Sequence, residues 1–583
     1  MVFTDSTMTR TLALRLLALI LLLALFLRLW GVFYGLPYTY ILDETFLVNH
    51  ALAFGTGDLN PHFFEWPGSL LMYALFLLYG VYFVAGLVFG IFSSTESFAL
   101  RIISDPTHIY LIGRVGMALI SVATVYLTYE AGRLYFDRRT GVIAALFMAC
   151  SPLLSGVSHF VLTDTPLVLA VIGGLVVMHG IVESGSLRSY VLSGAVIGLG
   201  ASIKYNAAAL VIPIAVAHAL HLYKSRPTIR EALLHRGPLL AAVALPVAFF
   251  MGCPYALIDF HSFLADVMHQ FSRVNQIGNI GAEHSSTLLF YVRSFAEGVG
   301  TAAAVASGAG VAYLIARRRP VEAMAPLSFT VAYFAYISTL MVGIDKYLAP
   351  AIPPALVIGA HLLSDIYGRF CSGSRVVRGA AAALLVLMAA EPLYDSVHID
   401  ATLSREDTRT MAKEWIESNI SSGTKIAIDA GRFDIAKLSP PIAEDEESLR
   451  RTYIEGYRET GNRFLQTEKS SLAKRYELQR KVHYPVRYSI ERIVISSDGA
   501  YDPGLTLRGL IAKGVEYAVV SSFAYEGYES EAYRRNHPEA AEHYSSFYHD
   551  LDKTCDLVKV FPTLPEERQG PTIKIYRLPL APQ

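Results

Sequence analysis

Asp43 and Glu44 stand side by side within ten residues of the end of the chain's first apolar run, in the stretch YILDETF at residues 40–46. Carboxylates at the mouth of an apolar segment are solvated, paired or put to chemical use. One of them could accept a proton from a hydroxyl or an amine, and the two together could hold a cation. Further ionisable groups recur at the ends of later apolar runs: His62 and Glu65, Arg114, His159 and Asp164, Lys204, and Asp345 with Lys346. Acids suited to proton transfer therefore alternate along the chain with bases suited to anions. Arg offers a phosphate two parallel donors, and Lys offers it a point charge. Each group also has a structural alternative, as a helix cap for Asp43 and Asp164 or as a snorkelling side chain for Arg114, Lys204 and Lys346.

The element that must position these groups is a membrane bundle. Of 583 residues, 53% are hydrophobic and 17% are charged, against about 25% charged in soluble domains. Apolar segments occupy residues 11–36, 67–93, 108–135, 141–158, 164–183, 189–203, 205–223, 237–256, 287–316, 323–343, 347–366 and 377–392. The first is too long for a signal-peptide core, lacks a small-residue cleavage site and begins beside Arg10 and Arg15. It reads as a retained span with a cytoplasmic N-terminus. Beyond residue 392 the apolar runs stop. There DTRTMAKEWIESN (407–419) has helical periodicity, and Lys425–Ile428, Ile493–Ser496 and Val515–Ser521 read as short buried strands. The expected fold is mainly α: a polytopic module of about 11–12 spans over 1–392, followed by an extracytoplasmic α/β domain over 393–583.

Charge excludes some partners and orients the spans. A net charge of −1 gives no footing for nucleic acid. The four cysteines are far apart and show no metal-ligand or disulfide spacing. Basic stretches at Arg133–Arg139, Lys224–Arg236, Arg317–Arg319 and Arg369–Arg378 should face the cytoplasm. The simplest repair of parity is that 67–93 does not cross but lies in or re-enters the outer interface, making one long outer loop from about 37 to 107 and leaving eleven spans and an outer C-terminus. With that orientation Asp43, Glu44, His62, Glu65, His159, Asp164, Lys204, Asp345 and Lys346 all fall at outer span ends. A conduction pathway would instead place ionisable groups near mid-membrane and show internal repeats. A lipid or solute transporter or flippase is therefore the alternative reading.

Four segments carry a family resemblance. The acidic pair followed by AFGTGDLNPHFFEWP (53–67) resembles the first outer loop of C-type integral-membrane glycosyltransferases, in particular the protein mannosyltransferase and aminoarabinose transferase superfamily. YLIGRVGM (110–117), SHFVLTDTP (158–166) and KYLAPAIP (346–353) resemble, in order, that family's span-start arginine, second acidic motif and late Tyr-Leu-x-Pro-x-x-Pro span. The resemblance covers about residues 10 to 366. It implies a sugar donor carried on a polyprenyl monophosphate, with transfer on the outer face to an acceptor that is protein, lipid or glycan. Membrane lipid is the other partner, and a prokaryotic cytoplasmic membrane the expected location.

That resemblance assigns roles residue by residue. Asp43 is the general base for an inverting attack, with Glu44 orienting it or the acceptor and Asp164 positioning an acceptor, a basic side chain or a cation. Arg114 meets the donor phosphate, and Lys204 and Lys346 each contact that phosphate or pair with an acid. Tyr347, His62, Glu65 and His159 complete the donor site, although His159 stands where the family carries arginine and supplies less charge. Asp43, Glu44 and Asp164 could together hold Mg²⁺ or Mn²⁺, but a monophosphate bound by Arg and Lys does not require a metal, and no cofactor is required. Phosphate loops, nucleophile elbows and dinucleotide fingerprints are absent, which argues against a nucleotide-bound donor.

Overall fold

Every apolar segment forms a helix or a broken helix in the computed structural model, which describes residues 8–272, 286–317, 321–340, 343–370, 375–431, 438–455, 469–495, 501–529 and 531–579. Thr9 caps the start of α1 (Arg10–Leu29) by accepting the Leu12 amide. After a hook at residues 30–41, α2 (Leu42–Ala53) carries Asp43 and Glu44 in its first turn, where the helix dipole favours acids. α3 (Ser69–Val88) and α4 (Thr95–Ser104) precede the long α5 (Thr107–Tyr135). The chain continues through α6 (Arg138–Cys150), α7 (Pro152–Ser158), α8 (Asp164–Ser184), α9 (Leu187–Ile203) and α10 (Val211–Ser225). Next come α11 (Ile229–Leu233), α12 (Gly237–Gly252), α13 (Tyr255–Ile258) and α14 (Phe260–Ser272). The last stretch holds α15 (Thr287–Val299), α16 (Thr301–Arg317), α17 (Met324–Ser338), α18 (Ile352–Phe370) and α19 (Arg375–Met388). From there α20 (Ala390–Leu403) and α21 (Thr408–Asn419) lead into a sheet.

Among the described residues, eight helices are long and apolar enough to cross a membrane, and ten if each of two bent pairs counts once. The bends have local causes. α6 and α7 meet at 59°, where Ser151 caps α7 and Pro152 opens it. α15 and α16 meet at 120° around Gly300, whose φ is +84° and where a Cβ would lie 2.6 Å from the Pro392 ring. The 287–316 segment, read in sequence as one run, is therefore two helices. The length test leaves out α9 and α17, of 17 and 15 residues, although both pack in the bundle. The core is formed by α1, α5, α6, α8 and α18, through residues such as Ala13, Val125, Phe147, Ile172 and Leu356. Gly132 and Gly141 let α5 and α6 touch backbone to backbone, since a Cβ on Gly132 would sit 2.7 Å from the Gly141 Cα. Leu19, Leu22 and Phe26 of α1 remain exposed, as lipid contact permits and water does not.

α3 packs on the N-terminal part of α5. Its first turn is tied to the end of α9, Gly68 N donating to Ile203 O at 3.0 Å. Leu75 and Tyr79 face Gly113, and Tyr82 meets His108 with ring centroids 6.2 Å apart. Beyond it, Glu96 of α4 pairs with Lys481 at 2.6 Å.

The sheet has the order β2-β1-β3-β5-β4, from β1 (Lys425–Gly431), β2 (Ser489–Ile495), β3 (Tyr517–Ser521), β4 (Asp556–Phe561) and β5 (Ile573–Arg577). β2, β1 and β3 run parallel, and β5 and β4 are added antiparallel. Alternation along each strand fills both faces. Ala412 and Ile416 of α21 cover Ile426, Ile428 and Val519, while Tyr544, Phe547 and Leu551 of helix Pro538–Thr554 cover Ala427, Ala518 and Val520. The expected strands and the 407–419 helix are present; of the expected strand residues, Ser496 lies outside those described.

Asp429 is buried in that sheet, accepting the Tyr548 hydroxyl at 2.8 Å and the Ser521 amide at 2.7 Å. Burial outweighs both hydrogen bonds and pushes its carboxyl from 3.8 up to about 7. An acid whose folded pKa is raised gives stability that is complete below its unfolded pKa and is lost as pH rises through the folded value. We expect the sheet unit to lose on the order of 4 kcal/mol between about pH 4 and pH 8, and Asp429→Asn to flatten that decline. Thermal melts of both proteins across this range measure it; parallel curves would exclude Asp429 as the cause.

Candidate active site

Glu44 and Arg114 form the floor of the site. The guanidinium grips the carboxylate with two hydrogen bonds, Nε to Oε1 at 2.8 Å and Nη2 to Oε2 at 2.7 Å. Its remaining nitrogen donates to the Val32 and Tyr34 carbonyls at 2.7 and 2.8 Å. Glu44 Oε1 also accepts the Val161 amide at 3.0 Å. Both side chains are essentially inaccessible, at 1% for Arg114 and 0% for Glu44. Arg114, expected at a phosphate, thus makes four hydrogen bonds inside the protein. Glu44, expected near an acceptor, is turned the opposite way. The pair ties together α2, α5, the 30–41 hook and the segment between α7 and α8.

Asp43, one residue and about 100° of helix away, faces a different environment. It pairs with Lys346, and both keep partial exposure, 34% and 26%. Deeper in, Lys204 donates to Asp164 Oδ1 at 2.7 Å and lies 5.0 Å from the centroid of the Tyr347 ring. Tyr347 directly follows Lys346, so its contact with Lys204 brings the two pairs together as one array. Local structure explains their placement. Lys204 ends α9 and opens a 3₁₀ turn at Tyr205–Leu210, and Lys346 lies in a second at Asp345–Ala351. Neighbours missing from the sequence reading brace these turns. Ser294 donates to Asp345 at 2.6 Å, Tyr333 donates to the Tyr347 carbonyl at 3.0 Å, and Asn206 donates to the Tyr333 hydroxyl at 3.0 Å. Ser, Asn and Tyr inside apolar runs were the available signal.

Other expected residues have other partners. His62 sits at φ +50° and pairs with Asp58 at 2.8 Å, while Glu65 accepts from His269 at 2.9 Å. The turn carrying both is pinned to α14, where Asp266 accepts the Phe64 amide at 2.8 Å. His159 is fully buried, its ring nitrogens 2.8 Å from the Ser155 and Trp30 carbonyls and 3.3 Å from Asp400. It holds α7 to the hook and to α20. The acidic trio for a divalent cation is likewise not assembled, because Arg114 and the Val161 amide occupy Glu44. Among the described residues no three His, Cys, Asp or Glu groups are placed to hold a metal. A cavity of about 1690 Å³ lies between α2–α4 and the sheet unit, on the Thr45–Asn49 side of α2, away from Asp43.

Comparison with known proteins bears out the resemblance read in the motifs. Residues 80–250 match the sequence model of the family described as Dolichyl-phosphate-mannose-protein mannosyltransferase. Among solved structures, the chain is similar to ArnT from Cupriavidus metallidurans bound to undecaprenyl phosphate, with 14% identity, a TM-score of 0.52, and 99% of this chain and 100% of that one covered. Against ArnT in the apo state the identity is 12% and the TM-score 0.51, over 97% and 99% of the two chains. The apo oligosaccharyltransferase of Archaeoglobus fulgidus aligns with 15% identity and a TM-score of 0.48, over 89% and 71%. No curated protein sequence matches. The overall fold is therefore that of the ArnT structures.

The adjacent acids should respond oppositely to substitution. Glu44→Leu or Arg114→Met alone leaves a buried partner uncompensated and should cost about 3–5 kcal/mol, with part of the loss recovered in the double variant. Asp43→Asn removes only a half-exposed pair and should cost under about 1 kcal/mol. Melting in detergent checks this; equal losses at 43 and 44 would mean that Glu44 is not the buried anchor.

Proposed function

We propose that this chain is a membrane glycosyltransferase that moves a sugar from a polyprenyl-monophosphate carrier to an acceptor. The observation that carries the reading is the array of Asp43, Lys346, Asp164 and Lys204, in which an accessible acid and an accessible base meet at the rim. The match at residues 80–250 and the ArnT fold, one structure of which is bound to undecaprenyl phosphate, support the same donor class.

The chemistry assigns each group a task. The bond between the anomeric carbon and the phosphate oxygen breaks, and polyprenyl phosphate leaves with the electron pair. The acceptor oxygen or nitrogen forms the new bond from the opposite face and inverts the centre, while its proton passes to Asp43 Oδ. Lys346, with Lys204 behind it, neutralises the departing phosphate, the role first expected of Arg114. Asp164 holds Lys204 in place, and Tyr347 lies across from that ammonium. No step is routed through a metal.

The topology belongs to the same proposal. Counting both bent pairs, α9 and α17 with the eight long helices gives twelve candidate spans, and removing α3 gives eleven. An α3 packed on the N-terminal part of α5, with α4 reaching the sheet unit, fits a segment that begins and ends on one side. We place the N-terminus in the cytoplasm of a prokaryote, residues 1–392 in its inner membrane, and the reactive face and residues 393–583 outside.

The test is transfer in proteoliposomes with a panel of labelled polyprenyl-phosphate sugars. The wild type should release polyprenyl phosphate. Asp43→Asn should lose at least about 100-fold in kcat, and Lys346→Gln should raise donor KM about tenfold or more. Label that merely crosses the bilayer, equally in wild type and Asp43→Asn, would replace the enzyme with a flippase.

A further inference from the structure

The hook between α1 and α2 is held from above by the C-terminal unit. Tyr34 donates its hydroxyl to Asp407 Oδ2 at 2.5 Å. Asp407 is gripped in turn by Arg409, Nε to Oδ1 and Nη2 to Oδ2, both at 2.8 Å. The Arg409 guanidinium carbon lies 3.9 Å from the centroid of the Tyr40 ring, and the Tyr40 hydroxyl meets Thr410 Oγ1 at 2.7 Å. All four side chains, Tyr34, Tyr40, Asp407 and Arg409, are buried. They grasp the hook three residues before Asp43.

The gripping side is built into the C-terminal unit. Asp407 is the N-cap of α21 and accepts the Arg409 amide at 2.8 Å. Next to it, Thr408 donates its hydroxyl to the Pro571 carbonyl at 2.6 Å and its amide to the Gln569 carbonyl at 3.3 Å. This fixes the start of α21 to the loop leading into β5. On the other side, Tyr34, Tyr40, Phe160, Leu162 and Leu403 form one small apolar cluster. Phe160 and Leu162 belong to the segment that delivers Asp164 two residues later, so both acid-bearing segments share this contact.

We propose that Asp407 and Arg409, acting through Tyr34 and Tyr40, are positioning residues that set where Asp43 points toward the acceptor. The inference rests on the reading of Asp43 as general base. A buried ion pair adds little net stability compared with apolar packing of the same volume; what it adds here is direction. The planar guanidinium fixes the Tyr40 ring, and the carboxylate fixes the Tyr34 hydroxyl, on either side of a hook that ends at the first turn of α2. Proton transfer depends steeply on such placement, since a misplacement of about 1 Å costs on the order of 100-fold.

The test uses the full chain in proteoliposomes. Tyr34→Phe/Tyr40→Phe removes both hydroxyl contacts and leaves the buried ion pair intact, so the protein keeps its fold. Hydrogen exchange over residues 38–48 should quicken at least about fivefold, while α21 changes by less than about twofold. kcat should fall at least about tenfold, with donor KM within about twofold. Arg409→Lys, which keeps the charge and loses the fork, should fall in between. Unchanged exchange over 38–48 overturns the clamp, and faster exchange with unchanged kcat overturns its positioning role. Absence of transfer by the wild type sinks the glycosyltransferase reading, a failure that the exchange measurement does not share.

Discussion

The Glu44–Arg114 pair is the constraint on which the arrangement of the site depends. Two opposite charges taken wholly out of water must satisfy each other and every remaining donor and acceptor, or the fold bears an uncompensated ion. Here the requirement is met by residues from four places: α2, α5, the carbonyls of Val32 and Tyr34, and the amide of Val161. Satisfying one buried carboxylate therefore fixes the hook, the first turn of α2 and the approach to Asp164 together. Asp43 inherits its position as the helical neighbour of that anchor. The buried acid and the accessible acid are adjacent because one holds the backbone that presents the other.

A second regularity governs the bases. Lys204 and Lys346 are each followed by tyrosine, and each stands at the start of a 3₁₀ turn leading into a helix of the bundle. A 3₁₀ turn is tighter and rises faster than an α turn, so the ammonium leaves the helical face and reaches across to a carboxylate on another element. Tyr205 anchors the first turn through the Phe64 carbonyl at 2.6 Å, and the Tyr347 carbonyl anchors the second through Tyr333. The lysines are thus held by backbone geometry on one side and by Asp164 and Asp43 on the other.

Much of this was legible in the sequence, and the failures have a common cause. The twelve apolar runs became helices because length and composition suffice for a helix in a bundle. The strands rich in Ile and Val, β1, β2 and β3, announced themselves. β4 (DLVKVF) and β5 (IKIYR) did not, since each is short and interrupted by charge: β5 takes its place by pairing with β3, and β4 by pairing with β5. In the site, the array of Asp43, Asp164, Lys204 and Lys346 was visible as polar residues at span ends. The pairing of Arg114 with Glu44 was hidden because an arginine in an apolar run looks alike whether it awaits a ligand or meets an acid 70 residues earlier. Spacing along a chain reports that a charge must be compensated, not by what. The hold of Asp407 and Arg409 on Tyr34 and Tyr40 was invisible for the same reason, being made by contacts such as Tyr34–Asp407 and Tyr40–Thr410 across 373 and 370 residues. The bend at Gly300 was hidden because a glycine in an apolar run carries no sign of its φ.

An array that is already neutral has a consequence for any anionic substrate that enters it. Asp43 and Asp164 balance Lys346 and Lys204 before anything binds, so the site does not present a bare positive field. A phosphate approaching Lys346 must compete with Asp43, and in winning that ammonium it leaves the carboxylate without its cation. On the proposed reading, donor binding and the freeing of the base are then one exchange of partners. The deeper Asp164–Lys204 pair, less accessible and braced by Tyr347, is the part that stays. Partial exposure of the outer pair keeps the exchange inexpensive, because neither group need be stripped of all its water. The buried Glu44–Arg114 pair could not serve in this way: releasing either partner would strand a charge in the core. The division of labour between neighbouring acids follows from burial alone.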